Sequence, residues 1–238
     1  MGERGAGGPW AAGPHRPENS LSAFEAAAAH GYAIECDLQM SADGTVFVFH
    51  DRTLDRMTNL KGFVAKSLAD DMRAATLERS AETVPTLTET LALVAGRVPL
   101  ILELKGEDAD PDLFVQAVAK ALEGYEGAAA VMSFSTALTD RFRDGLGGWP
   151  RGLTAEGDDR RHAEHTEAFE RGKLHFVSYA VDDLPCRFVA ELLRREVPVI
   201  TWTVRTPEQV AATKAHANQM TFEGFLPPVP PEPKSALP

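Results

Sequence analysis

Cysteine is all but missing from this sequence. Cys36 and Cys186 are the two present, too few for a disulfide framework and without the clustered spacing of a zinc site. A reducing compartment follows. No apolar run approaches the roughly 20 residues needed to cross a bilayer, and the first residues lack the basic and apolar regions of a signal peptide. The chain therefore reads as cytoplasmic, without stable membrane insertion. Basic charge is also scarce: 24 Lys and Arg stand against 35 Asp and Glu, a formal net charge of -11. That balance excludes nucleic acid as a partner, because such binding rests on clustered cations neutralising phosphates. Any phosphate must be met at a local site.

What remains is ordinary for a globular protein, with 44% apolar and 25% charged residues. Apolar runs at 33–38, 98–104, 128–133, 150–155, 174–180, 197–204 and 218–222 read as strands, with 45–50 as the return arm of a hairpin. Thr86-Leu87-Thr88-Glu89 and Thr206-Pro207-Glu208-Gln209 have capping-box spacing, and Asp110-Pro111 opens another helix. Strands alternating with helices imply a parallel sheet, and this many units in 238 residues imply an α/β fold of the TIM (β/α)8 type. One strand is wanting. Residues 1–18 are rich in Gly, Pro and Ala, so the first strand is expected to be missing or degenerate and this stretch an irregular loop. Residues 1–225 are expected to form one domain, and the Pro-rich 226–238 a disordered tail. A barrel short of a strand exposes backbone edges, which makes a homo-oligomer a possible remedy.

The chemistry concentrates in Ile34-Glu35-Cys36-Asp37-Leu38. Residues i and i+2 of a strand share a face, so Glu35 and Asp37 aim together. Like charges so placed repel unless a cation or shared proton offsets them. Ser41-Ala42-Asp43-Gly44 is a turn signal, and the hairpin it implies brings His50 opposite Glu35, within one register step, at the rim. Glu103 and Lys105 repeat the i, i+2 pattern at the end of the next strand. Glu35, Asp37 and Glu103 then offer oxygen ligands to a hard divalent cation, Mg²⁺ or Ca²⁺. Lys105 suits a phosphate oxygen. His162 and His165 share a helical face within a charged stretch and read as solvated. Trp202 either walls a binding pocket or packs in the barrel core.

Glu35-x-Asp37, Asp43-Gly44, His50-Asp51, Leu54-x-Arg56-x-Thr58, Pro85-Thr86-Leu87, Glu103-x-Lys105, Ser133-Phe134 and Trp202-Thr203-Val204 together resemble the glycerophosphodiester phosphodiesterases. The resemblance runs from Pro17-Glu18-Asn19-Ser20 to about Phe225. It implies a phosphodiesterase barrel that releases an alcohol and glycerol 3-phosphate from a small glycerophosphodiester. It further implies a divalent metal on Glu35, Asp37 and Glu103, and a pair of catalytic histidines of which His50 is one. Lys105 with Arg16 or Arg4 would hold phosphate oxygens, and Trp202 and Phe134 would line the substrate pocket.

Three positions depart from the family's pattern. Its His-Arg-Gly signature has two imperfect counterparts, Glu3-Arg4-Gly5 and His15-Arg16-Pro17, so His15 is the candidate for the second catalytic histidine and an altered or truncated beginning is expected. Arg205 stands where the family usually has Asn, and Phe222-Glu223-Gly224-Phe225 replaces a Thr-Asp-x-Pro motif. The competing readings are a catalytically silent phosphodiester-binding barrel, lacking the first histidine, and a phospholipase-D-like lyase of the same fold.

Overall fold

The computed structural model describes residues 16–106 and 108–227. Every strand expected from the sequence forms. They are β1 (Ile34–Met40), β2 (Val46–Val48), β3 (Leu100–Leu104), β4 (Ala129–Ser133), β5 (Arg151–Ala155), β6 (Phe176–Ala180), β7 (Val199–Val204) and β8 (Gln219–Phe222). The helices are α1 (Leu21–Ala29), α2 (Ala69–Ala74), α3 (Leu87–Val94), α4 (Pro111–Ala121), α5 (Thr136–Gly145), α6 (His162–Gly172), α7 (Arg187–Arg194) and α8 (Pro207–His216). Both capping boxes are made: Thr86 accepts from the Glu89 amide and Thr206 from the Gln209 amide, while Asp110 caps α4 ahead of Pro111.

The strands make one curled sheet in the order β2-β1-β3-β4-β5-β6-β7-β8, parallel except for the β1–β2 hairpin. Among the described residues no strand closes the gap between β8 and β1. Tyr32, just before β1, packs edge-on to Phe222 at the end of β8, with ring centroids 5.2 Å apart.

Period-two alternation sorts the side chains. Ile34, Cys36, Leu38, Leu100, Leu102, Leu104 and Val131 face outward and bury against α1, α3, α4 and α5. Ile101, Ala130, Met132, Phe176 and Ile200 face inward and fill the barrel's lower interior. Gly152 makes room there, since a Cβ on it would lie 2.4 Å from the Phe176 ring. Above that apolar plug the inward positions turn polar.

One substructure was not legible in the strand pattern. Between β2 and α3 the chain makes an excursion with its own core of Phe49, Leu54, Met57, Val64, Met72, Leu77 and Val84. It stands beside the carboxyl ends of β1 and β3 and carries His50, Asp51, Arg52 and Arg56.

Candidate active site

Glu35 and Asp37 point inward from β1, and Glu103 from β3, because the parallel register sets Asp37 beside Glu103. All are buried, at 1%, 0% and 1% exposure, and offer ligand atoms within 4.8 Å of one another. Three carboxylates so close repel strongly in a low-dielectric interior. Lys105 offsets part of that, its Nζ lying 3.0 Å from Asp37 Oδ1 and 2.5 Å from Glu103 Oε1. An all-oxygen set of this kind suits a hard divalent cation.

Asn19 was not singled out by sequence. It is buried at 1% exposure and held at φ 56°, a conformation Asn tolerates better than most residues. Its Nδ2 donates to Asp37 Oδ2 at 3.0 Å and its Oδ1 accepts from the Asp37 amide at 3.3 Å. Cys36, between the acids, faces outward. Burial first, and then the Glu35 and Asp37 charges, push its thiol well above the ordinary range, so it is an inert core residue.

The hairpin turn forms as expected, with Gly44 at φ 84° and its amide donating to the Ser41 carbonyl at 3.0 Å. The ladder pairs Leu38 with Val48. Continued, it sets His50 opposite Cys36, one step from Glu35, but the strand ends at Val48. The His50 ring turns to its neighbour instead, with Nδ1 2.9 Å from Asp51 Oδ1. Because a carboxylate accepts and does not donate, Nδ1 carries the proton. His50 shares a cavity of about 330 Å³ with Gln39, Asp51, Arg52, Thr53 and Lys105, so imidazole and ammonium open on one space.

Phe134, 43% exposed, lies beside Lys105, whose Nζ is 6.0 Å from the ring centroid, and meets Trp202 edge-on at 5.4 Å. The Trp202 indole donates to the Ser178 carbonyl at 3.2 Å. The aromatic pair is thus part-exposed at the same end of the barrel as Lys105. Gly106 permits the turn beyond Lys105, for a Cβ there would lie 2.6 Å from that of Ser135.

Of the remaining candidates, Arg16 is half-buried, while Arg4 and His15 lie outside the described residues. One expectation is corrected. His165 is not solvated but 4% exposed, its ring centroid 5.7 Å from that of Tyr179 and 5.3 Å from that of Phe188. His162 is also largely covered and lies 3.0 Å from Glu191. The departures from the family pattern at the ends of β7 and β8 meet each other: Arg205 Nη2 donates to Glu223 Oε2 at 2.7 Å.

Comparison with known proteins gives the family and the fold. The profile of the glycerophosphoryl diester phosphodiesterase family matches residues 4–226, and the chain belongs to that family. A glycerophosphodiester phosphodiesterase of Bacillus altitudinis is 35% identical over 96 residues, which are 37% of this chain and 39% of that enzyme. Among solved structures, an Oleispira antarctica phosphodiesterase in complex with the product sn-glycerol-3-phosphate superposes with TM-score 0.80 at 19% identity, covering 87% of this chain and 88% of the other. The Thermotoga maritima glycerophosphodiester phosphodiesterase superposes with TM-score 0.73 at 19% identity, covering 94% and 93%. At those identities the likeness is one of fold. Among the described residues no helix is long and apolar enough to cross a membrane.

Proposed function

We propose that this protein is a metal-dependent phosphodiesterase that hydrolyses small glycerophosphodiesters to an alcohol and glycerol 3-phosphate, with residues 1–225 acting as one barrel domain. The observation that carries this reading is the buried trio Glu35, Asp37 and Glu103 with Lys105 among them, in a chain of this family. Glu35, Asp37 and Glu103 would hold a Mg²⁺ or Ca²⁺ ion, which when bound would supply Lewis-acid stabilisation of the charge developing on the phosphoryl oxygens. Lys105 holds a further phosphate oxygen as a point charge, and Arg16 is the described candidate for another. His50 moves the proton on one side of phosphorus. With Nδ1 donating to Asp51, its Nε2 accepts a proton in the neutral ring and returns it to the leaving alcohol when charged. Phe134 and Trp202 wall the alcohol side, an apolar surface suited to the carbon skeleton of the head group. A reducing, cytoplasmic setting suits the two buried free thiols.

The test is phosphorus NMR of glycerophosphocholine incubated with the purified protein, with divalent metal and with chelator. Glycerol 3-phosphate formed only with metal is the expected result. A cyclic phosphate product would replace hydrolysis with a lyase reaction. No turnover of any glycerophosphodiester with either metal would leave a binding barrel.

A further inference from the structure

Beyond the His50–Asp51 pair, the rim holds two charges that the proposed chemistry gives no part, Arg56 and Glu18. Asp51 Oδ1 accepts a hydrogen bond from His50 Nδ1–H at 2.9 Å. Arg56 then reaches Asp51 with two donors, Nε to Oδ2 at 2.6 Å and Nη2 to Oδ1 at 2.7 Å. The same Nη2 donates to Glu18. Such a planar fork fixes a carboxylate in direction as well as in place.

Glu18, His50 and Asp51 also have donor atoms within 4.8 Å of one another, a spacing a cation could use. Arg56 already meets both carboxylates, so the positive charge of that cluster is a guanidinium. Burial would raise the Asp51 carboxyl, but the hydrogen bonds from Arg56 and His50, with their charges, bring it below the usual aspartate range. It stays an acceptor.

The chain arrangement gives this a further consequence. Glu18 and Asn19 are adjacent, and Asn19 grips Asp37. The short segment ahead of α1 therefore meets the histidine rim through Glu18 and fastens the buried Asp37 through Asn19, joining two parts of the site carried on different elements.

We propose that Arg56, braced by Glu18, is a positioning residue for His50: it fixes the Asp51 carboxylate that holds the imidazole in its Nδ1–H form, leaving Nε2 to the substrate side. This rests on His50 acting as the proton carrier. The Arg56 side chain is 51% exposed, and exposed ion pairs add little to stability, so its removal leaves the fold nearly intact.

The experiment compares Arg56→Ala, Arg56→Lys, Glu18→Ala and His50→Ala in glycerophosphocholine turnover, together with nitrogen-15 NMR of the labelled histidine rings. General acid-base catalysis contributes about 10²–10⁴-fold; His50→Ala should lose a factor of that order. Arg56→Ala should lose about tenfold or more in kcat with KM changed less than about twofold, and Glu18→Ala a smaller share. Arg56→Lys, lacking the fork, should resemble Arg56→Ala. Free guanidinium should restore part of the Arg56→Ala loss. In the spectra, the Nδ1–H form should dominate in the wild type and give way to a mixture in Arg56→Ala. If His50→Ala is as active as wild type, the reading of His50 falls. If His50→Ala is inactive while Arg56→Ala and Glu18→Ala keep wild-type kcat and the same ring tautomer, the positioning role is overturned and the proton-carrier role survives. Should Arg56→Ala fail to fold, Arg56→Lys and Glu18→Ala decide by the same two readouts.

Discussion

Asn19 meets Asp37 twice, its amide nitrogen donating to the carboxylate and its amide oxygen accepting from the Asp37 backbone N–H. Holding a buried acid by both its charge and its main chain fixes the direction in which the carboxylate presents its other oxygen. Partners of this kind behind metal ligands typically matter by 10–100-fold in affinity or activity. Asn19→Ala should therefore weaken divalent-cation affinity by about that factor while Glu35 and Glu103 remain in place. Cation titration of the variant checks this, and unchanged affinity would confine Asn19 to a structural part.

Lys105 stands between Asp37 and Glu103 and is 13% exposed. Removing one partner of a buried ion pair is costly because it leaves charge uncompensated, about 3–5 kcal/mol in other proteins. Lys105→Met should lower the melting temperature most in chelator, and divalent metal should recover much of the loss. Thermal unfolding with and without metal measures both. Turnover should fall even in the metal-stabilised state if Lys105 holds a phosphate oxygen as proposed.

These predictions concern side chains that the sequence exposed unevenly. Glu35, Asp37, Glu103 and Lys105 were legible because a strand repeats every two residues, so an acid two places from another inside an apolar run has few explanations. Asn19 and the Glu18–Arg56 contact were not, since their partners lie 18 and 38 positions away and no local period records such meetings. The excursion between β2 and α3 escaped for a similar reason: its core is assembled from scattered residues outside any long helix or strand. His165 is different. The stripe His165, Ala168, Phe169, Gly172 on α6 follows the i, i+3, i+4, i+7 spacing of a buried face, and the surrounding charges concealed it.

That buried histidine sets a pH dependence. Burial first, then the Arg161 charge, lowers the His165 pKa below the ordinary 6.5. The unfolded chain then binds its proton more readily than the folded one. The stabilisation is complete above the unfolded value and is lost as pH falls through it toward the lowered folded value. His175, lowered by burial and by Arg151, acts in the same direction. Denaturant unfolding between pH 7.5 and 5 should show stability decreasing on acidification, and His165→Phe should flatten part of that slope. An unchanged slope in the variant would assign the dependence elsewhere.

Arg205 and Glu223 close a pair across the ends of β7 and β8, with side chains 55% and 23% exposed. Exposed pairs contribute about 0–1 kcal/mol, so Arg205→Ala should barely move the melting temperature. If the pair instead shapes which head groups enter, the variant should change KM between glycerophosphodiesters of different head-group charge while kcat for a given one stays within about threefold. Equal KM ratios for wild type and variant would remove any part in selection.

The central claim is that Glu35, Asp37 and Glu103 form one divalent-cation site, and calorimetric titration of Mg²⁺ and Ca²⁺ into metal-free protein tests it most directly. One of the ions should bind at a single site in wild type. Saturation at a hundredfold over Kd should stabilise the fold by about 2.7 kcal/mol. Glu103→Gln should bind at least tenfold more weakly with little change in its metal-free melting temperature. No binding of either ion to the wild type, or undiminished binding to Glu103→Gln and Glu35→Gln, would contradict the account.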